Sequence, residues 1–330
     1  VKRATIRDVA REAQVSVASV SRAFNGLSSV TPETRDHVLT VAKRLGYIPH
    51  AGARSLSLSR ANVIGVVLPD LHGEFFSELV RGLDRATAAR GYQMLFSTMH
   101  ANADLARQAI HAMHGRVDGL IVMAPQFDHD ELDALLAPST PVVLINSTTL
   151  AGRSALRIDN QSGVEALIRH MLESGRRRFV HITGPAHNID AQERLDAFHD
   201  ALARFAPEIE TLVVPGDFRE QSGFESVAQL LAEGDPFDAV FAGNDDMALG
   251  ALRALRAAGR HVPGDVAVAG FDDVPLARLV GLSTVRVPLE EMGDQAVDSL
   301  VAALEGREEP ASLRLLLPEL VIRETTVAGA

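Results

Sequence analysis

Two hydrophobic periodicities divide the chain. Near the start, apolar positions recur at helical spacing: Ile6, Val9, Ala10 and Ala13 stand at i, i+3, i+4 and i+7. Thr5-Ile6-Arg7-Asp8 has the capping-box form, with Thr5 as N-cap and an acid three residues on. Gln14-Val15 predicts a short turn, and Ser16 caps a second helix from Val17 to Asn25 that Gly26 ends. Thr31-Pro32-Glu33-Thr34 opens a third, with Thr31 as N-cap and Pro32 at the first helical position. Val38, Leu39, Val41, Ala42 and Leu45 fill that helix and Gly46 stops it. Two short helices across a tight turn, closed by a third, form the helix-turn-helix pattern.

From Asn62 the pattern changes. Short β-rich runs alternate with amphipathic stretches. The runs are Val63–Leu68, Gln93–Phe96, Gly119–Val122, Val142–Ile145, Phe179–Ile182, Leu212–Val214, Ala239–Phe241, Val266–Ala269 and Thr284–Val287. Helical patterns between them cover Phe75–Arg90, Leu105–His114, Gly163–Glu173, Glu193–Phe205, Gly223–Leu231 and Met247–Ala258. This alternation predicts parallel sheets covered on both faces. The body is longer than one such sheet needs, so two α/β lobes are expected.

Composition sharpens this reading. Of 330 residues, 46% are hydrophobic and 23% charged, enough apolar material for a folded core. There is no cysteine, which excludes a disulfide scaffold, a Cys-ligated zinc site and a thiol nucleophile, and fits a cytoplasmic setting. No apolar run follows Val1-Lys2-Arg3-Ala4, so no signal peptide is expected, and no run approaches the ~18 apolar residues of a membrane span. The net charge of −11 argues against a polyanionic partner for the chain as a whole. Its distribution argues for one at the head. Residues 1–60 carry ten Lys/Arg against four Asp/Glu, a balance of +6, while the rest carries −17.

On the second helix, Val20, Ala23 and Phe24 point inward, leaving Val17, Ala18, Ser21 and Arg22 outside. A recognition helix sets its N-terminal residues against base edges and its hydroxyls on phosphates. Arg22 suits guanine O6/N7, and Val17 and Ala18 suit a thymine methyl. In the body, the carboxyl ends of the runs are polar: Pro69-Asp70, Asn146-Ser147, Thr183-Gly184-Pro185, Gly216-Asp217-Phe218, Gly243-Asn244-Asp245-Asp246 and Gly270-Phe271-Asp272-Asp273. Ligands of open parallel sheets bind beyond those ends, and two facing lobes gather such groups around one cleft. Helix capping alone also accounts for single members, such as Asp245 and Asp246.

Other constellations carry less. His111, His114 and Asp118, and Asp128-His129-Asp130, offer no complete metal-ligand set, so no metal is expected. No Gly-x-Gly-x-x-Gly after a strand, Gly-x-x-x-x-Gly-Lys or Gly-x-Ser-x-Gly occurs, so neither a nucleotide cofactor nor a serine-hydrolase elbow is indicated.

Ala4-Thr5-Ile6-Arg7-Asp8-Val9-Ala10, Val15-Ser16-Val17, Val20-Ser21-Arg22, Asn25-Gly26 and Val30-Thr31-Pro32-Glu33-Thr34-Arg35 resemble the head of the lactose-repressor (LacI/GalR) family. The resemblance continues through Leu45-Gly46-Tyr47, Pro49, Ala53-Arg54-Ser55-Leu56 and Ile64-Gly65-Val66-Val67 and onward to the C-terminus. It implies an all-α helix-turn-helix head over 1–49, a hinge helix and linker over 50–60, and an effector-binding, dimerising domain over 61–330. That domain is expected to have the two-lobed α/β periplasmic-binding-protein type I fold, its N-lobe at about 61–159 and 288–317 and its C-lobe at about 160–287 and 318–330. The DNA-facing candidates are Thr5, Ser16, Val17, Ala18, Ser21, Arg22 and Asn25, with Ala53 at the close approach of paired hinge helices and Leu56 as the minor-groove wedge. His50 stands where the family usually has Asn, and Gly52 weakens the hinge helix by roughly 1 kcal/mol relative to Ala.

The effector-binding candidates are Asp70, Phe75, Phe76, Asn146, Arg194, Phe218, Asn244 and Asp272. Arg194 matches the family's effector clamp, Phe218 a ring-capping aromatic, and Asn244 and Asp272 its main polar ligands. Gly73-Glu74-Phe75-Phe76 replaces the usual Asn-Pro-Phe-Phe, and Ser147 follows Asn146 where the family often has Arg. The resemblance implies a homodimeric, non-enzymatic transcription regulator, a repressor, on near-palindromic double-stranded DNA, controlled by a small molecule, a sugar. A purine or phosphoprotein effector, or a sugar-binding protein without a DNA role, are the alternatives. No cofactor and no membrane partner are expected.

Overall fold

The structure is a computed structural model and describes residues 4–24, 29–47, 61–100, 102–138, 140–209, 211–307 and 310–327. The chain forms two compact units, Val1–Val63 with Met113–Asp118, and Ile64–Ala112 with Gly119–Ala330. Asn25 and the expected hinge, with His50, Gly52, Ala53 and Leu56, lie outside the described residues.

In the head, α1 (Ile6–Glu12), α2 (Val17–Phe24) and α3 (Pro32–Arg44) pack in pairs. The Thr5–Asp8 capping box is present: Asp8 N–H donates to Thr5 Oγ1, and Thr5 N–H to Asp8 Oδ2 at 3.0 Å. Gln14 makes the turn with a φ of 53°. Ser16 Oγ accepts from Ser19 N–H at 3.0 Å, and Thr31 Oγ1 from Thr34 N–H at 3.3 Å. Each such cap contributes about 1 kcal/mol. Val9, Ala13, Val20, Ala23, Val38 and Val41 are buried together, and Phe24 meets Tyr47 edge-on at 5.8 Å.

The body contains a six-stranded sheet built from β1 (Val63–Leu68), β2 (Gln93–Thr98), β3 (Gly119–Met123), β4 (Val142–Ile145), β5 (Ser154–Ile158) and, from near the end of the chain, β11 (Leu313–Leu316). Its strand order is β11-β5-β4-β3-β1-β2. The pairs β1–β3, β3–β4, β4–β5 and β5–β11 are parallel, with Ile64 beside Gly119 and Leu120 beside Val142. A second, parallel sheet comprises β6 (Phe179–Ile182), β7 (Thr211–Val214), β8 (Ala239–Ala242) and β9 (Ala267–Ala269), in the order β7-β6-β8-β9. On β6, Phe179 joins one core cluster and Val180 and Ile182 the other, because helices cover both faces. A small antiparallel ribbon pairs β10 (Thr284–Arg286) with β12 (Glu319–Val321).

Helices α4 (Glu74–Ala89), α5 (Ala103–Met113) and α6 (His129–Leu135) belong to the first lobe. The second lobe carries α7 (Asn160–Glu173), α8 (Ile189–Phe205), α9 (Glu220–Glu233), α10 (Asp245–Ala257) and α11 (Pro275–Leu279). The chain then returns: α12 (Leu289–Leu304) packs on α4 and against β3, β4 and β5. Crossing again, the last segment is fastened to the second lobe by Val268 N–H to Thr325 O at 2.9 Å. Helices α9 and α10 touch through Gly223 and Gly250, where an added Cβ would collide with the backbone of Met247 and of Glu220 and Phe224.

All six expected body helices begin earlier than their apolar periodicity indicates. Those expected from Phe75, Leu105, Gly163, Glu193, Gly223 and Met247 start at Glu74, Ala103, Asn160, Ile189, Glu220 and Asp245. Their first turns carry polar residues, which add nothing to an apolar count. Beyond the expected elements stand α6, α11, α12, β5, β11 and β12. Strands β5 and β12 carry Arg157 and Glu319, which blur the apolar run that marks a buried strand.

Candidate functional site

On α2 the inward and outward faces separate as expected. Val20 and Ala23 are buried, Val17, Ala18 and Arg22 exposed, and Ser21 half-buried. Thr5 and Ser16 stand at the N-terminal ends of α1 and α2, where their hydroxyls also serve as caps. These side chains belong to a head whose three helices pack around one apolar core.

In the body, the carboxyl ends of both sheets face one cavity of about 570 Å³. Asp70, Phe75, Phe76, Arg194, Phe218, Asn244 and Asp272 line it. Asn146 does not. It follows β4 at a φ of 40°, 1% exposed, with both polar atoms of its amide lacking a hydrogen-bond partner. The wall also includes His72, His100, Gln126, His187, Asn188, Asp190, Asp217, Arg219 and Asp246. Several of these follow β2, β3 and β6, whose polar continuations were the available signal.

Arg194 is the centre of the polar wall. It projects from α8, is 4% exposed, and donates Nε–H to Asn160 Oδ1 at 2.9 Å and Nη1–H to the Gly243 carbonyl. Its guanidinium lies over the Phe271 ring, 3.7 Å from the centroid. Asn160 Nδ2 in turn donates to Asp190 Oδ1 and Glu193 Oε2, both at 2.9 Å, and Glu193 also pairs with Arg157. This chain of contacts fixes the guanidinium before any ligand arrives.

Asp272 stands opposite. Its Oδ1 is 3.7 Å from Arg194 Nη2, close enough for charge attraction but too far for a hydrogen bond. That oxygen has no donor although the residue is only 6% exposed. Burial pushes the Asp272 carboxyl up to about 7; Arg194 opposes the shift, and Asp246 and Asp190 add to it. Burial likewise raises Asp190, Asp245 and Asp246 above the usual carboxylate range.

The backbone that presents Asp272 is strained. Asp272 and Asp273 have φ of 116° and 57°, and Phe218 across the cavity has 67°. Such conformations cost about 1–3 kcal/mol each and persist where neighbours over-determine them. Here Asp273 is clamped by Arg323 at 2.6 Å and Arg286 at 2.7 Å. Asp245 accepts from Val274 N–H at 2.9 Å and Thr284 Oγ1–H at 2.6 Å. Asn244 also positions: its Oδ1 caps α10 through Met247 N–H at 3.0 Å, and its Nδ2 donates to Phe218 O at 2.9 Å. At the rim Asp70 lies 3.6 Å from Arg219, and Glu74 Oε2 accepts from Leu276 N–H at 2.8 Å across the cleft.

The arrangement can bind a small polar molecule with an apolar face. Aromatic rings supply stacking surface, Arg194 supplies a fixed donor fork, and Asp272 an unused acceptor. Among the described residues, no group of three or more His, Asp or Glu side chains is placed to hold a metal, and no helix is long and apolar enough to cross a membrane.

Comparison with known proteins joins the two sites. Residues 5–50 match the bacterial regulatory proteins of the lacI family, and residues 168–326 match the periplasmic binding protein-like domain. Catabolite control protein A of Priestia megaterium is 31% identical over 98% of this chain and 99% of its own length. The lac repressor dimer bound to operator and the anti-inducer ONPF superposes with a TM-score of 0.89 at 29% identity, covering 99% of this chain and 100% of that one. A complex of the transcriptional regulator CelR with cellobiose gives 0.73 at 31% identity, covering 98% and 100%. With a three-helix head, a two-lobed ligand cavity and a relative matched along its whole length, the chain belongs to the lacI family of DNA-binding bacterial transcription regulators.

Proposed function

We propose that this regulator represses transcription as a homodimer on a near-palindromic operator, and that a sugar in the cleft sets its affinity for DNA. The observation that carries the effector half is the pairing of Arg194 with the donor-less Oδ1 of Asp272 in a cavity also lined by Phe75, Phe76 and Phe218. A sugar offers adjacent hydroxyls to that pair and C–H faces to the rings. The CelR–cellobiose complex is a similar chain with a sugar bound.

In this reading each α2 enters the major groove at one half-site, presenting Val17, Ala18, Ser21 and Arg22 to base edges. Thr5, Ser16 and Asn25 support backbone and base contacts, while Ala53 and Leu56 act in the paired hinge at the operator centre. The head spans 1–49, the hinge 50–60 and the effector domain 61–330. Ligand enclosed between the lobes biases their relative geometry and so the pairing of the two hinges. Such coupling equals the differential affinity of the ligand for the two states, typically ~1–3 kcal/mol. The protein works by binding alone, without catalysis, in the compartment that holds the DNA.

The test is a thermal-shift screen of the full chain against mono- and disaccharides, sugar phosphates and purines, followed by an operator titration with any hit. A ligand present at a hundred times its dissociation constant stabilises the folded state by ~2.7 kcal/mol. A sugar that raises the melting temperature and changes operator affinity supports the proposal. A purine hit, or a flat panel with a phosphoprotein altering DNA binding, refutes the sugar assignment.

A further inference from the structure

The cavity wall carries an unusual charge arrangement for a site at helix N-termini. Helices α4, α8 and α10 each begin at the wall, through Gly73 and Phe75, Asn188 and Asp190, and Asn244 and Asp246. Free N–H groups at such ends attract anions. Here two of the ends already hold their own acceptors. Ala191 N–H bonds Asn188 Oδ1 at 3.1 Å, and Met247 N–H bonds Asn244 Oδ1 at 3.0 Å. An acidic residue also occupies each first turn: Glu74, Asp190, and Asp245 with Asp246.

The positive charges of the wall already face partners as well, although Arg194 keeps N–H groups for a hydroxyl. Arg194 is engaged by Asn160, Gly243 and the neighbouring charge of Asp272, and Arg219 faces Asp70 at 3.6 Å. Asp190, Asp217 and Asp246 remain in the same wall. The buried Oδ1 of Asp272 is an acceptor without a donor, which calls for a ligand rich in O–H or N–H groups.

From this we infer that the cleft selects an uncharged, hydroxyl-rich ligand, a free sugar, and rejects the phosphate esters of the same sugars. The inference rests on the sugar reading above and narrows it. A phosphoryl group adds close to two negative charges, and inside this wall it meets carboxylates while both arginines already face acids of their own. Like charges brought together at close range are strongly disfavoured. The wall thus works as a chemical filter that separates a free sugar from its phosphorylated product.

The experiment compares matched pairs on the full-length protein at about pH 8, where an ordinary histidine carries no charge. Melting temperature is followed with glucose, ribose and cellobiose, with glucose 6-phosphate and ribose 5-phosphate, and with glucosamine as a cationic probe. At least one neutral sugar is expected to stabilise the protein, with its phosphate ester at least about tenfold weaker. Asp246→Asn and Asp70→Asn should each narrow that gap; unliganded melting curves of both variants establish that they fold. A phosphate ester that binds as well as its parent overturns the filter while leaving the sugar reading intact. Preference for glucosamine over glucose by about tenfold or more overturns neutrality from the other side. No stabilisation by any sugar, neutral or charged, overturns the sugar reading and the filter together.

Discussion

Replacing Asp272 with Asn changes one atom at the polar centre of the cleft. In the unliganded protein burial holds the carboxyl at about 7, so about a tenth of molecules carry it ionised at about pH 6 and about nine-tenths at about pH 8. A ligand hydroxyl donating to Oδ1 favours the ionised form. Affinity should therefore rise about tenfold from pH 6 to pH 8, with a proton released on binding at the lower pH. The effect on unliganded stability has the opposite direction. The folded-state value lies above the unfolded one, so the stabilising contribution is complete below the ordinary carboxylate range and is lost as pH rises through about 7.

Asn keeps the shape but not the charge. Loss of a charge-assisted hydrogen bond, about 1.5–3 kcal/mol, should weaken effector binding about 10- to 150-fold at about pH 8. The loss should be smaller at lower pH, and the pH dependence should flatten. Calorimetric titration across this pH range, in buffers of different ionisation enthalpy, reads both affinity and proton release. Operator binding without effector should be unchanged. A wild-type affinity that is flat or falls with pH would refute the reasoning, as would an Asp272→Asn variant that keeps the wild-type slope.

Three further substitutions probe other links. Arg194→Lys should abolish the effector response and cost roughly 1–3 kcal/mol of stability by urea denaturation, because an ammonium cannot reproduce the bonds to Asn160 and Gly243 over the Phe271 ring; wild-type stability and response together would remove it from the centre of the network. Gly250→Ala should lower unfolding stability by roughly 1–3 kcal/mol, read from the urea midpoint, since its Cβ meets rigid backbone of Glu220 and Phe224, and an unchanged midpoint would mean that α9 and α10 separate freely. Arg22→Ala should relax base preference at one symmetric operator position by about 1–3 kcal/mol; an unaltered selection profile on random DNA would exclude base reading by that residue.

The helix-turn-helix head was legible because its signals are local: caps at Thr5, Ser16 and Thr31 and an apolar face closed by Val38 and Val41. The strands of the two parallel sheets were legible where both faces are buried, as in β3, β4, β6 and β8, whose residues are apolar throughout or nearly so. Strand β11, at one margin of the larger sheet, was not. β11 exposes Leu313 and Leu315, so its sequence lacks the contrast that marks a buried element. Helix α12 has a clear apolar stripe in Leu289, Met292, Ala296, Val297 and Leu300, but its return to the first lobe depends on tertiary packing against α4.

Within the cleft, strand-end polarity and family resemblance pointed to Arg194, Asp272 and the aromatic rings. They did not reveal that Arg194 is held by Asn160, or that Asp190 and Asn188 complete the wall. Those roles depend on side-chain geometry between α7 and α8. Asn146 shows the converse: a polar residue at a strand end need not reach the cavity, and here the amide is buried without lining it.

The most direct measurement is a fluorescence-anisotropy titration of the full-length protein on a near-palindromic operator selected from random DNA, with and without the sugar that most raises its melting temperature. Two chains should bind per site, with a preference over scrambled DNA of roughly a thousandfold or more, and the sugar should shift operator affinity by ~5- to 150-fold. Equal affinity for operator and scrambled DNA, or an operator affinity that saturating sugar leaves unchanged, would contradict the coupling of the two sites.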